Sequence, residues 1–150
     1  MPLQQEPEQA TLILSPDHSN QLATVLEVAL SLPADAMLVV KEHIWQLGRR
    51  PKHFYQTLLD TPNVRLLHPL ASSIDTMIAS DLVCTISSSA GYEATALGKK
   101  TVFFWKQCPL QDVPHVNVIE GFSGMDLIAQ LLDEEDETLE TQRQNDGALF

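Results

Sequence analysis

The chain has 150 residues with 44% hydrophobic content, enough to bury about two-thirds of its unfolded surface around one core. Its net charge of -11 at pH 7 argues against nucleic acid and anionic membranes as partners, because phosphate surfaces demand a basic face. No apolar run approaches the ~18 residues of a transmembrane segment, and Met1-Pro2-Leu3-Gln4-Gln5-Glu6 has neither the basic nor the apolar region of a signal peptide. A cytoplasmic protein is expected.

The first ten residues are polar, with Pro2, Pro7 and three glutamines, and read as a flexible lead-in over 1–10. Thr11-Leu12-Ile13-Leu14 reads as the first strand, followed by the helix-start signal Ser15-Pro16-Asp17-His18-Ser19. Leu22, Val25, Leu26, Ala29 and Leu30 then recur at helical spacing, and Pro33 ends that helix. Met37 to Val40 is a wholly apolar run of the kind found in strands covered on both faces. A helix from about Pro51 carries Phe54, Tyr55, Leu58 and Leu59 inward, and Val64 to Leu67 reads as the next strand. Ser72-Ser73-Ile74-Asp75 has the spacing of a capping box.

Leu82 to Ile86 reads as another buried strand, Ser87 to Gly91 as a small-residue loop, and Tyr92 to Leu97 as a short helix stopped by Gly98. Thr101 to Phe104 is a further strand, Val116 to Ile119 a last short one, and Leu127, Ile128, Leu131 and Leu132 mark a closing helix. Strands separated by helices require crossover connections. The expected fold class is therefore α/β: one Rossmann-like parallel sheet over 11–132, with helices on both faces. Residues 133–150 read as an acidic, disordered tail, with six acids and no base between Asp133 and Glu140.

Both cysteines are expected to be reduced, since Cys84 lies in an apolar run and Cys108 in a proline-containing loop. His18, His53 and His115 have no carboxylate or cysteine at metal-ligand spacing, so no metal cofactor is expected. The sequence has no Gly-x-Gly-x-x-Gly, no Walker loop and no Gly-x-Ser-x-Gly elbow, which leaves dehydrogenase, P-loop kinase and α/β-hydrolase readings unsupported. Charge is unevenly spread. Residues 41–106 hold eight Lys and Arg against five Asp and Glu, a window of +3 in a chain otherwise at -14. Either the acidic ends merely solubilise the chain, or the middle section meets a small anion.

Ligands of open parallel sheets bind beyond the carboxyl ends of the strands. Three polar segments fall there: Lys41-Glu42-His43, His68-Pro69 and Ser87-Ser88-Ser89-Ala90-Gly91. The serine loop suits a phosphate, because small residues allow close backbone approach and a following helix offers free N–H groups and its dipole. It also suits a plain N-cap with loop filler around it. His43 is either a ligand donor or a core histidine with a backbone partner. His68 either closes a pocket or caps its loop, and Glu93 either accepts from hydroxyls or complements the helix dipole.

Lys41-Glu42-His43-Ile44, Phe54-Tyr55, Pro62-Asn63-Val64-Arg65-Leu66, Ser72-Ser73, Asp81-Leu82-Val83, Ser89-Ala90-Gly91-Tyr92-Glu93-Ala94 and Gly98-Lys99-Lys100-Thr101-Val102 occur in that order. Over Val40 to Trp105 the chain resembles the carboxy-terminal, donor-binding half of GT-B glycosyltransferases of bacterial capsular polysaccharide biosynthesis, including Kdo-transferring enzymes. Ile44 departs from the proline of that family's His-Pro motif.

The resemblance implies a CMP- or UDP-sugar ligand and a separate amino-terminal GT-B half as partner, carrying the acceptor site and catalytic base. It implies that His43 contacts the phosphate or cytidine, that Ser87, Ser88, Ser89 and the amides of Ala90 and Gly91 cradle phosphate, and that Glu93 holds the ribose. Lys41, Glu42, Arg65 and His68 are second-rank candidates. Trp45 and Trp105 follow strand ends and are expected to be partly exposed on an open cleft wall. Two alternatives remain open: half of a nucleotide-sugar 2-epimerase-like enzyme, and a flavodoxin-like interaction module without a ligand.

Overall fold

A computed structural model describes residues 1–7 and 9–134. Eleven regular elements follow one another: α1 (Gln9–Leu14), α2 (Gln21–Leu30), β1 (Leu38–Lys41), α3 (Lys52–Asp60), β2 (Val64–Leu67), α4 (Ser73–Ile78), β3 (Leu82–Thr85), α5 (Ser89–Ala96), β4 (Lys100–Phe103), β5 (Val116–Val118) and a helix, α6, whose described part covers 127–134. All strand pairing is parallel. β1 pairs with β2, Leu38 opposite Val64 and Lys41 opposite Leu67, while β4 pairs with β3 on one side and β5 on the other. The protein is thus α/β, with two small parallel sheets compatible with a Rossmann-like arrangement.

The strands form where the apolar runs predict them, and alternation decides which helices they face. Val40, Cys84 and Val102 point into the main core with Val25 and Val28 of α2, Leu58 of α3 and Ile128 of α6. Val83, one residue before Cys84, packs instead with Met77 of α4 and Ala94 of α5. Helices therefore cover both faces. Ser72 caps α4 as the sequence predicts, its hydroxyl accepting from the Asp75 amide at 3.2 Å.

Two amino-terminal expectations are corrected. Residues 1–4 are no flexible lead-in, since Leu3 is 2% and Gln4 3% exposed. They run parallel to β1 on the side away from β2: the Leu3 amide donates to the Lys41 carbonyl at 2.8 Å and the Lys41 amide to the Met1 carbonyl at 3.1 Å. At their end, Gln4 Nε2 donates to Ser87 Oγ just beyond β3, at 3.1 Å. The segment thus joins the two sheets. Thr11 to Leu14, read above as a strand, are helical; Leu12 and Ile13 lie exposed while the Thr11 hydroxyl donates to Gln4 Oε1 at 3.1 Å. The acidic tail from residue 135 lies outside the described residues.

Gly91 sets how closely α5 sits on the sheet. A Cβ at this position would lie 2.4 Å from the Phe103 ring and 2.6 Å from Thr85 Cγ2, inside the core layer. Gly91→Ala should destabilise the fold by about 1–3 kcal/mol through overpacking. Chemical denaturation would measure it, and an unchanged midpoint would contradict the close α5–sheet contact.

Candidate functional site

The carboxyl ends of β1 and β3, with Gln4 between them, form one polar edge. Its anchor is Glu42, the first residue after β1. The carboxylate is 4% exposed and accepts four hydrogen bonds, from Arg50 Nε at 2.6 Å and Nη2 at 3.3 Å, Tyr55 Oη at 2.9 Å and the His43 amide at 2.7 Å. Arg50 also donates through Nη2 to the Gln4 carbonyl at 2.6 Å and stacks its guanidinium 4.5 Å from the centre of the Phe54 ring. Its Nη1 stands 2.8 Å from Glu6 Oε2, an ion pair by distance but off hydrogen-bonding angle. Burial, and then the hydrogen bond to Glu42, push the Tyr55 hydroxyl up to about 12. Glu42 is therefore filled by its own neighbours.

Gln21 completes the clamp from α2. Its Oε1 accepts from the Gln4 amide at 2.7 Å, and its Nε2 donates to the Gln4 carbonyl at 3.1 Å and to Glu6 Oε1 at 2.6 Å. Gln46 Oε1 accepts from the Glu6 amide at 3.2 Å. Gln4, Gln21, Arg50 and Tyr55 were not singled out above as site residues. A buried glutamine carries no periodicity signal, and Arg50 in Arg49-Arg50 looks like a surface base.

His43 and the serine loop remain on the edge. His43 is half-buried, and its Nδ1 accepts from the Trp45 amide at 3.3 Å, capping a short 3-10 turn over Ile44–Gln46. That bond assigns the lone pair to Nδ1 and leaves the N–H of the neutral ring at Nε2. Ser87 is buried against Gln4. Ser88 is the N-cap of α5, its hydroxyl accepting from the Ala90 amide at 3.2 Å, while the Gly91 amide donates to the Ser88 carbonyl at 3.0 Å. Both amides that the resemblance gives to phosphate are thus engaged by the cap, so a phosphate here would compete with Ser88 for the Ala90 amide. Ser89 is exposed at the first turn of α5, and Glu93 is exposed one turn further on.

The second-rank residues divide. Lys41 Nζ donates to the Pro69 carbonyl at 3.1 Å, tying β1 to the loop after β2, where exposed His68 accepts from the Leu70 amide at 3.3 Å. Arg65 does not join them. Its Nη1 donates to the carbonyls of Pro62 and Val64, both at 2.8 Å, at the opposite end of β2. Trp45 is 67% exposed beside His43, whereas Trp105 is half-buried with Nε1 enclosed. Cys84 and Cys108 are both buried as free thiols, and burial pushes the Cys84 thiol up to about 11. Among the described residues no helix is long and apolar enough to cross a membrane, and no cluster of three or more His, Cys, Asp or Glu could hold a metal.

No family model matches the chain, and no match was found among curated proteins or solved structures.

The clamp makes a sharp stability prediction. Removing one partner of a buried ion pair costs about 3–5 kcal/mol, whereas replacing both with apolar residues is often near neutral. Arg50→Met should therefore destabilise strongly, and the double variant Arg50→Met/Glu42→Leu should recover most of the loss by equilibrium unfolding. Equal loss in the two variants would contradict this account of Glu42.

Proposed function

We propose that the protein binds a nucleotide sugar at the carboxyl edge of its parallel strands, as the donor-binding half of a glycosyltransferase of surface polysaccharide assembly. One observation carries the reading: through Gln4, the loop bearing His43 and the loop bearing Ser87 to Ser89 are held as parts of a single edge. Strand ends with a small-residue loop feeding a helix are where parallel sheets take phosphorylated ligands. The ordered resemblance between Val40 and Trp105 supplies the substrate class.

In this reading the His43 Nε2–H donates to phosphate or to the base, and the Ser89 hydroxyl and first-turn amide meet phosphate beside the Ser88 cap. Glu93 accepts from the ribose. Glu42 does not touch the ligand; it orients His43 through the His43 amide. Acceptor and catalytic base come from a partner half, and the edge contributes donor binding.

Isothermal titration of the chain with CMP, UDP and a CMP-sugar tests the reading directly. Binding near millimolar is expected, about 4 kcal/mol, and Ser89→Asp should abolish it by placing a carboxylate where phosphate sits. Identical titrations of wild type and variant would exclude the serine-loop phosphate site. These 150 residues alone should transfer no sugar to a capsular acceptor, and transfer by the purified chain would contradict the division into donor and acceptor halves.

A further inference from the structure

The loop between β1 and α3 sends its side chains in two directions. Gln46 and Arg50 turn inward and are buried, Gln46 Oε1 accepting from the Glu6 amide at 3.2 Å and Arg50 filling Glu42. The backbone between them is bonded turn by turn: the Gln46 amide donates to the His43 carbonyl at 2.9 Å and the Arg49 amide to the Gln46 carbonyl at 3.0 Å. Ile44, Trp45 and Leu47 are thereby held outward, at 45%, 67% and 42% exposure. Single exposed apolar residues are ordinary, but three in one anchored turn mark an interaction surface.

The charge around them is equally one-sided. Arg49, Lys52 and His53 are exposed on the same loop and the first turn of α3, and no acid occurs from His43 to Leu59. Glu42 and Glu6, which border the loop, are engaged inward: Glu42 by Arg50 and Tyr55, Glu6 by Arg50 Nη1 and Gln21 Nε2. Among the described residues neither Arg49 nor Lys52 is in an ion pair. The surface therefore fits an acidic segment with apolar side chains.

Such a segment is part of this chain. Residues 135–150 lie outside the described residues and hold five acids against one base, together with Leu139, Leu149 and Phe150. They follow α6, which runs to the amino ends of the strands: Lys100, the first residue of β4, donates from Nζ to the Leu131 carbonyl at 2.8 Å. From there to the loop is about one length of α3, ~14 Å for its nine residues, and three strand spacings of ~4.8 Å. Sixteen residues span about 50 Å when extended, so the loop is within reach. Attachment also decides between partners. A separate acidic protein or an anionic membrane meets the repulsion of a chain at -11, whereas a linked segment acts at an effective concentration on the order of millimolar.

We propose that residues 135–150 dock on the β1–α3 loop, their acids against Arg49 and Lys52, and Leu149 and Phe150 against Ile44, Trp45 and Leu47. The loop is already held in its outward form, which lowers the cost of docking on it.

Amide NMR of the full chain with a nitroxide label on Thr141→Cys tests the contact; both native thiols are buried, so the label goes to the introduced one. The signals of Ile44, Trp45, Leu47 and Lys52 should lose more intensity than those of Ile74 and Ile78, which are exposed on α4 on the opposite face of the fold from α3. Arg49→Glu/Lys52→Glu should restore the lost intensity, and so should Leu149→Ser/Phe150→Ser, with strand signals unchanged in both. Equal loss on α4 and the loop, or loss that neither pair restores, would overturn the proposal. So would the same loss in a mixture of labelled chains with unlabelled, isotope-enriched ones, which assigns the segment to a second copy. Loop signals that move only on adding phosphatidylcholine–phosphatidylglycerol vesicles would overturn it in favour of a lipid surface.

Discussion

The buried Glu42–Arg50 pair is the contact on which the rest of the ligand edge depends. Desolvating two charges is expensive, and it is tolerated only where further hydrogen bonds fill the remaining positions. Here they do, through Tyr55, the His43 amide and the Gln4 carbonyl. The pair therefore fixes three chain segments at once: the end of β1, the start of α3 and the segment 1–4. Without it, Glu42 would be a lone carboxylate in the core and the His43 loop would lose its main tether.

The consequence for function is a separation of roles within Lys41-Glu42-His43. Lys41 reaches sideways to Pro69, Glu42 turns inward to Arg50, and His43 is left facing the edge. The serine loop divides in the same way, with Ser87 tied to Gln4, Ser88 capping α5 and Ser89 exposed. In each triplet two residues build the scaffold and one is available. Gly91 serves that scaffold through close packing on Phe103 and Thr85.

Much of the fold was legible because its signals are local. β2 coincides with the apolar run Val64 to Leu67, and α4 starts at the Ser72 cap. The amino-terminal segment was not legible, because its pairing partner lies nearly forty residues away and two or three residues carry no periodicity. Thr11 to Leu14 failed for a different reason: a short apolar run fits strand and helix equally, and here Thr11 bonds Gln4 while Leu12 and Ile13 face outward. Of the candidate site, the strand-end positions of His43 and Ser87 to Ser89 followed from the α/β alternation. The inward turn of Glu42 and the roles of Gln4, Gln21 and Arg50 did not, since they depend on tertiary contacts.

Hydrogen exchange at the Leu3 amide tests the central claim most directly. Paired to the Lys41 carbonyl and backed by the Glu42–Arg50 clamp, it should be protected to nearly the same free energy as the amides inside β1, opening only with the whole fold. Exchange at the rate of an unstructured chain end would contradict the account, because the segment joining the two loops would then not be held at the edge.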